Sequence, residues 1–269
     1  MAILRVEKSN VNYSPINTTT LTLHSTHINR RQDISVYHSG KLSPHTPIVL
    51  LLHGVYGSNW VWMQLGGVHE VYEQLKKEGL NDFVLVMPSD GGLWDGSAYL
   101  PLSSHGNYEA WIMEDVINGV IENIEGISHE SNVYITGLSM GGYGALRLGA
   151  KYPDKFKGIS AHSSVTSLDD LQQFIDKPIE DYQCEFQYES DISFWLEKNQ
   201  AQLPLIRFDC GSKDSLYKSN LALCSTLDKF GINYQFDALE GGHEWSYWHN
   251  NISKTLLFFN KIENAIKLG

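Results

Sequence analysis

Residues 133–147 read Val-Tyr-Ile-Thr-Gly-Leu-Ser-Met-Gly-Gly-Tyr-Gly-Ala-Leu-Arg, and this stretch decides the fold. Its first four residues are β-branched or aromatic, which predicts a short strand. Ser139 follows between two glycines, and the residues after it have a helical pattern. A serine on so tight a turn has a strained backbone, and the residues two before and two after it approach neighbouring backbone. Glycine is therefore favoured at Gly137 and Gly141.

The Gly137-x-Ser139-x-Gly141 spacing fits the nucleophile elbow of an α/β-hydrolase. Such a turn lifts the serine hydroxyl clear of the sheet and places it at the start of a helix. There, free N–H groups and the helix dipole favour a developing negative charge. Glycine and serine also build ordinary turns, but a strand before and a helix after favour the catalytic interpretation. Ser139 is therefore the candidate nucleophile.

The bulk composition limits the class of protein. The chain has 269 residues and is 42% hydrophobic, enough for one large α/β domain with a sizeable core. Its net charge of −11 argues against nucleic acid or an anionic membrane surface as a partner. No run of about 18 apolar residues is present, so we expect no membrane span.

Cysteine usage and the N-terminus suggest a compartment. The three cysteines, Cys184, Cys210 and Cys224, form no C-x-x-C pair, which suggests reduced thiols. The first residues have no positive leader followed by an apolar core, so no signal peptide is visible. A cytoplasmic location is the expectation.

Apolar strand patterns alternate with helical patterns along the chain. Residues 1–17 are polar and suggest an arm or an edge segment, and 18–25 and 32–38 suggest two antiparallel strands. The alternation implies a single α/β domain over residues 1–269, with a mostly parallel central sheet and helices on both faces. Further strands are predicted at 48–52, 83–87, 132–136, 158–161, 205–209 and 234–238, and helices at 69–78, 108–124, 216–230 and 247–266.

Two segments interrupt the alternation. Residues 89–107 form a long loop, which inside a compact domain is more often functional than idle. Residues 163–203 have helical fragments at 168–175 and 192–198 around a polar middle that also contains aromatic residues. We interpret residues 163–203 as a small insertion over the active site, a candidate lid.

A serine hydroxyl needs a base, and in this fold the chain order is Ser, then Asp or Glu, then His. His243 follows the last strand and a glycine pair, whereas its rival His249 lies inside the last helix pattern. For the acid, Asp209 still belongs to a strand end, but Asp214 lies in the loop beyond a glycine turn. Asp214 is therefore the candidate acid, which would hold the imidazole in one tautomer; helix capping is its alternative role.

The developing oxyanion needs two N–H donors. One is the backbone of Met140, the residue after the nucleophile, and the other is expected in the loop after the strand at 48–52. Val55 is the first choice there and Tyr56 the second. The side chain of His53 is expected to order this loop rather than to perform acid–base chemistry.

Taken together, these motifs resemble the esterase D family, also named the putative esterase family, over about residues 45–255. The resemblance implies an α/β-hydrolase fold, a triad of Ser139, Asp214 and His243, and oxyanion donors at Val55 and Met140. The family contains S-formylglutathione hydrolases, feruloyl and acetylxylan esterases, and mycolyltransferases. The motifs are Leu51-Leu52-His53-Gly54-x-x-Gly57, Met87-Pro88-Ser89-Asp90-Gly91-Gly92, Gly137 to Leu146, Tyr152-Pro153-Asp154-Lys155-Phe156, Cys210-Gly211-x-x-Asp214-x-Leu216-Tyr217 and Gly242-His243-x-Trp245-x-x-Trp248.

The sequence thus predicts a serine carboxylesterase that hydrolyses small acyl esters and needs no metal or organic cofactor. Residues 53–57 lack the cysteine typical of S-formylglutathione hydrolases, which disfavours that thioesterase alternative. A carbohydrate esterase of acetyl or feruloyl type and an acyltransferase stay open, and a non-catalytic binding module is least favoured. Tyr56, Trp94 and Trp245 are the candidate substrate-binding residues. The expected partner is a small-molecule ester; the sequence does not decide between a monomer and a homodimer.

Overall fold

The structure, a computed structural model, describes residues 2–268 of the chain. Its strands are β1 (Ile3–Lys8), β2 (Thr18–Ser25), β3 (Arg30–Tyr37), β4 (Ile48–Leu52), β5 (Val84–Pro88), β6 (Pro101–Leu102), β7 (Gly106–Asn107), β8 (Val133–Leu138), β9 (Gly158–His162), β10 (Leu205–Gly211) and β11 (Tyr234–Leu239). Its α-helices are α1 (Val61–Gln64), α2 (Val68–Lys77), α3 (Tyr108–Ala110), α4 (Ile117–Asn123), α5 (Met140–Lys151), α6 (Leu168–Leu171), α7 (Ile192–Lys198), α8 (Tyr217–Phe230) and α9 (Trp245–Leu268).

Within residues 2–268, nine strands form one sheet in the order β1-β2-β3-β5-β4-β8-β9-β10-β11. The pairs β1–β2, β2–β3 and β3–β5 are antiparallel, and every pair from β5–β4 to β10–β11 is parallel. The predicted mostly parallel sheet is confirmed, and so is the antiparallel pairing of the second and third strands. The polar N-terminal segment contributes β1, an edge strand.

Helices cover both faces of the sheet, as the sequence predicts. All five residues of β4 are buried, and their side chains alternate between two cores. Val49 and Leu51 belong to the core that α2 and α9 cover, whereas Leu50 and Leu52 belong to the core on the α5 side. An unbroken apolar run is what a strand covered on both faces requires.

The predicted helix over 108–124 is not uniform. It begins as α3, is π-helical over Trp111–Val116 and continues as α4. The Asn107 side chain caps its start by accepting the Ala110 N–H at 2.8 Å. A hydrophobic pattern of helical period cannot separate an α-turn from the wider π-turn, so the sequence did not reveal this irregularity.

The parallel strands bring their carboxyl ends to one edge of the sheet. Loops that leave β4, β8, β10 and β11 at this edge carry the candidate site residues. The strand β9 ends at the same edge and leads into residues 163–203, which contain α6, α7 and three 3₁₀ turns. Within residues 2–268, no helix combines the length and apolar character that crossing a bilayer requires.

Candidate active site

Ser139 lies on the turn between β8 and α5, with backbone angles φ 53° and ψ −121°. Few residues other than glycine adopt a positive φ, so this turn is strained. A Cβ atom at Gly137 would lie 2.2 Å from Gly141 O, and one at Gly141 would lie 2.2 Å from Leu52 O. Both glycines are therefore sterically required. The Ser139 N–H donates to His162 O at 3.0 Å, which fixes the turn to β9.

The structure brings together the three predicted residues Ser139, His243 and Asp214, here called the candidate triad. His243 Nε2 lies 2.9 Å from Ser139 Oγ, and His243 Nδ1 lies 2.9 Å from Asp214 Oδ2. A carboxylate can only accept, so Nδ1 carries the proton and Nε2 is left to accept from the serine hydroxyl. This is the arrangement that general-base activation of a serine requires.

Asp214 is held in its ionised form. Its side chain is fully buried, and burial on its own disfavours the charge. The hydrogen bond and charge of His243 outweigh that penalty, together with the Leu216 N–H, which donates to Asp214 Oδ1 at 2.9 Å. The pKa of Asp214 is therefore below its usual value. The Leu216 contact also shows that Asp214 caps the turn before α8, while its other oxygen stays available to orient His243.

The hydrogen bonds of the loop after β4 distinguish the two candidates for the second oxyanion donor, Val55 and Tyr56. A Cβ atom at Gly54 would lie 3.2 Å from Ser139 Cβ, so this loop runs beside the nucleophile. The Tyr56 N–H already donates to Asp95 O at 2.8 Å, which removes the second-choice donor. Val55 remains, and it lines the same cavity as Ser139. Met140 is the first residue of α5, so its N–H has no partner inside the helix.

His53 orders this loop, as expected. Its Nε2 accepts the Asp90 N–H at 2.9 Å, so its Nδ1 carries the proton and donates to Gly54 O at 2.6 Å. Both ring nitrogens are engaged by backbone, and the side chain is almost completely buried. His53 therefore has no free nitrogen for acid–base work.

A cavity of about 210 Å³ opens over Ser139 and His243. Two of the three predicted substrate-binding residues, Tyr56 and Trp245, line it. The remaining wall is mostly apolar. It consists of Gly54, Val55, Gly57, Val61, Leu138, Phe174, Glu244 and Trp248.

Comparison with known proteins identifies the family. Residues 25–259 match the family described as "Putative esterase". The chain belongs to this family. It is an enzyme that hydrolyses carboxylic ester bonds. An acetyl esterase of Caldicellulosiruptor saccharolyticus is 27% identical to it over 243 residues, which cover 82% of this chain and 86% of that protein.

Solved structures support the fold. A fluorophosphonate-binding serine hydrolase of Staphylococcus aureus, FphF, has a TM-score of 0.77 at 24% identity, covering 92% of this chain and 99% of that one. An S-formylglutathione hydrolase of the same organism has a TM-score of 0.76 at 23% identity, covering 92% and 100%. At this identity the likeness shows the α/β-hydrolase fold.

Trp94, the third predicted substrate-binding residue of this esterase, is not among the residues that line the cavity. Its ring packs against Tyr182 and His105, with centroid distances of 5.2 and 4.7 Å, and the Lys177 ammonium lies 5.5 Å from it. Trp94 therefore joins the long loop to the insertion, and its contact with substrate stays a prediction.

Two cavity residues that the sequence analysis did not select contact the His243 ring. Phe174 stacks on the His243 ring, and Trp248 packs edge-on against it. Trp248 lies three residues after Trp245 on α9, a spacing that puts both on one helix face and was a usable signal. Phe174 lies in an irregular part of the insertion, where no sequence period points to the site. Within residues 2–268, no group of three or more His, Cys, Asp or Glu side chains is arranged to hold a metal ion.

Proposed function

We propose that this esterase hydrolyses small acyl esters through the candidate triad and a covalent acyl-enzyme. The observation that carries the proposal is the pair of 2.9 Å contacts that the two His243 nitrogens make with Ser139 and Asp214. The carboxylate orients the ring, and the ring is in reach of the hydroxyl proton.

In the first half of the reaction, Ser139 Oγ attacks the ester carbonyl carbon while His243 Nε2 takes the hydroxyl proton. The carbonyl oxygen becomes an oxyanion, for which the N–H groups of Val55 and Met140 are the proposed donors. The bond to the alcohol oxygen then breaks, and the imidazolium returns its proton to that oxygen. The alcohol leaves, and the acyl group stays on Ser139.

In the second half, a water molecule attacks the acyl carbonyl and gives a proton to His243 Nε2. The oxyanion again forms between the same two donors. When it collapses, the bond to Ser139 Oγ breaks and the serine oxygen takes the proton back. The acid leaves, and the enzyme returns to its starting state. The buried, ionised Asp214 stabilises the imidazolium in both halves.

The size of the cavity supports a small acyl group. Its 210 Å³ lies below the roughly 300–1,000 Å³ of typical small-molecule sites. Its wall is largely apolar, which suits a short hydrocarbon or aromatic group rather than a charged one.

Ser139→Ala is the direct test, with p-nitrophenyl acetate and butyrate as substrates. We expect kcat to fall about 10⁶-fold, because the nucleophile is lost while the fold is kept. A fluorophosphonate probe should label the wild type and leave the variant unlabelled. Ser103→Ala, on an exposed loop, is the matched control and should behave as the wild type. Retained activity in Ser139→Ala would exclude the mechanism.

A substrate panel tests the finer alternatives. It includes acetylated and feruloylated sugars, an S-acylglutathione thioester, and an acyl ester with added alcohol. Faster turnover of the sugars would indicate a carbohydrate esterase, and faster turnover of the thioester a thioesterase. Formation of a new ester with the added alcohol would indicate acyl transfer.

A further inference from the structure

A short, mostly exposed segment of the insertion contributes one residue, Phe174, to the wall of the cavity. Residues 172–177, here called the strap, follow the end of α6. Within the strap, the Phe174 ring stacks on the His243 imidazole with a centroid distance of 4.9 Å and an interplanar angle of 20°. The Trp248 ring meets the same imidazole edge-on at 5.0 Å. Phe174 therefore forms a wall of the cavity directly beside the base.

Two hydrogen bonds connect the strap to the opposite rim. The Tyr56 O–H donates to Phe174 O, and the Asp176 N–H donates to Asp95 Oδ2 at 2.9 Å. The Tyr56 backbone N–H in turn donates to Asp95 O, so the two rim residues form one unit. Tyr56 is 71% exposed, so little packing holds its ring and the phenol oxygen is its main link to the strap.

The strap has few other attachments. Gln172, Gln173, Asp176 and Lys177 are exposed, and only Ile175 is buried. The Gln172 side chain braces the turn by donating to Ile175 O and Lys177 O, each at 3.2 Å. These bonds explain why α6 ends at Leu171 although the sequence predicts a helical fragment to residue 175. Ile175 anchors the strap to the core, and Phe174 packs against the same core, so the rim hydrogen bonds act on Phe174 from the cavity side.

We propose that Phe174 is the residue that sets the size of the ester group accepted beside His243, and that Tyr56 is the positioning residue that holds it there. This inference rests on the proposed function, because it assigns selectivity to the same site. The phenyl ring is a wall of a cavity of only 210 Å³, so it occupies space that a larger ester would need. Removal of the Phe174 ring, or loss of the hydrogen bond from the Tyr56 O–H to Phe174 O, should therefore allow the cavity to accept larger esters.

The experiment compares kcat/KM for p-nitrophenyl acetate and for a bulky ester, p-nitrophenyl decanoate. In Phe174→Ala, we expect the bulky-to-acetate ratio of kcat/KM to rise about 10-fold, in the range that pocket volume controls. Phe174→Leu should give a smaller rise. Tyr56→Phe keeps the ring and loses the O–H, so its ratio should shift in the same direction by about 3-fold.

Matched controls lie in the same insertion. Phe186→Ala and Tyr188→Phe repeat the two chemical changes at residues that stack on each other and do not line the cavity. Their ratios should equal that of the wild type. Should Phe174→Ala not fold, Phe174→Leu and Tyr56→Phe still report the ratio.

The outcomes separate the two proposals. Equal loss of activity toward both esters would mean that Phe174 only supports the fold, which overturns the size limit. The same conclusion follows from an unchanged ratio in folded variants while a fluorophosphonate still labels Ser139. If the wild type is not labelled and hydrolyses neither ester, the proposed function fails and the size limit with it.

Discussion

Within residues 2–268, two hydroxyl–histidine–aspartate sets have nearly the same interatomic distances. In the candidate triad, the two contacts of the histidine are each 2.9 Å. In a second set, here called the closed set, Thr255 Oγ1 lies 2.8 Å from His162 Nε2, and His162 Nδ1 lies 2.9 Å from Asp209 Oδ2. The chemical groups and the distances match, so these features alone do not define a nucleophile.

The surroundings of the two sets differ. In the closed set the side chains of His162 and Asp209 are completely buried, whereas 20% of the His243 side chain is exposed. The Thr255 hydroxyl also contacts Ser160 Oγ at 2.6 Å. Thr255 is completely buried and does not line the cavity that opens over Ser139. Access for a substrate and free N–H donors therefore distinguish the candidate nucleophile Ser139 from a buried structural hydroxyl.

The ionised forms of Asp209 and Asp214 are also stabilised by different groups. Burial disfavours the Asp209 charge, but His162, the Arg207 guanidinium at 2.7 Å and the Tyr247 hydroxyl at 2.7 Å together hold the pKa of Asp209 below its usual value. Asp214 has no arginine; it depends on His243 and a backbone N–H. Asp209 therefore ties β9, β10 and α9 together, whereas Asp214 joins the loop before α8 to the candidate base His243.

The largest expected contrast is between the two histidines. His243→Gln should lower kcat about 10⁶-fold, because no base is left for Ser139. His162→Gln should keep kcat within a few-fold and lower the free energy of unfolding by about 1–3 kcal/mol, since its buried partners lose hydrogen bonds. Ester hydrolysis and urea unfolding measure the two effects. A folded His162→Gln enzyme without activity would break the comparison.

The sequence predicts the candidate triad but not the closed set, because the residues of the two sets lie in different kinds of element. Ser139 and His243 lie in glycine-flanked turns at strand ends, so local spacing identified them, and chain order supplied Asp214. The residues of the closed set lie within β9, β10 and the middle of α9, where no motif connects them. Only the three-dimensional packing brings them together. For the same reason, the strap and its rim contacts had no sequence signal.

The next contrast is between the two aspartates. Asp214→Asn should lower kcat about 10⁴-fold, because an amide no longer enforces the tautomer of His243. Asp209→Asn removes the buried counter-charge of Arg207, which keeps only the partly exposed Asp237, and should lower the free energy of unfolding by about 3 kcal/mol. Steady-state kinetics and chemical unfolding of both variants provide the test. Equal kinetic losses in the two variants would show that the closed set takes part in the chemistry.

Removing the hydroxyl of Tyr247 should have a smaller effect on stability. Burial and the neighbouring Asp209 charge raise the pKa of Tyr247, so its hydroxyl stays protonated and donates to Asp209. Tyr247→Phe should lower the free energy of unfolding by about 1–3 kcal/mol, because a buried carboxylate loses a donor. Tyr188→Phe, at a partly exposed position, should have almost no effect on thermal unfolding. A Tyr247→Phe melting temperature equal to that of the wild type would contradict this assignment.

The smallest expected contrast is in how the stability of the wild type and of Asp214→Asn depends on pH. The pKa of Asp214 is lower in the folded protein than in the unfolded chain, so its contribution to stability is complete above the unfolded value of about 4. That contribution is lost as the pH falls through the folded pKa. Asp214→Asn should therefore lose less stability than the wild type between about pH 5 and pH 3, by about 1.4 kcal/mol for each unit of pKa difference. Unfolding curves at several pH values measure this slope, and parallel slopes would contradict it.

Two backbone hydrogen bonds give the closed set a consequence for heat tolerance. The Ser139 amide is bonded to the His162 carbonyl, and the Ser163 amide to the Asp209 carbonyl. The turn at Ser139 is thus hydrogen-bonded to the end of β9, and the residue after β9 is hydrogen-bonded in turn to β10, so the closed set clamps the support of this turn. If warming breaks the contacts of the closed set first, the Ser139 turn moves and its hydroxyl loses the contact with His243 while most of the sheet is still folded. Thermal inactivation should then precede melting, and the interval between the two temperatures would report how firmly the clamp holds.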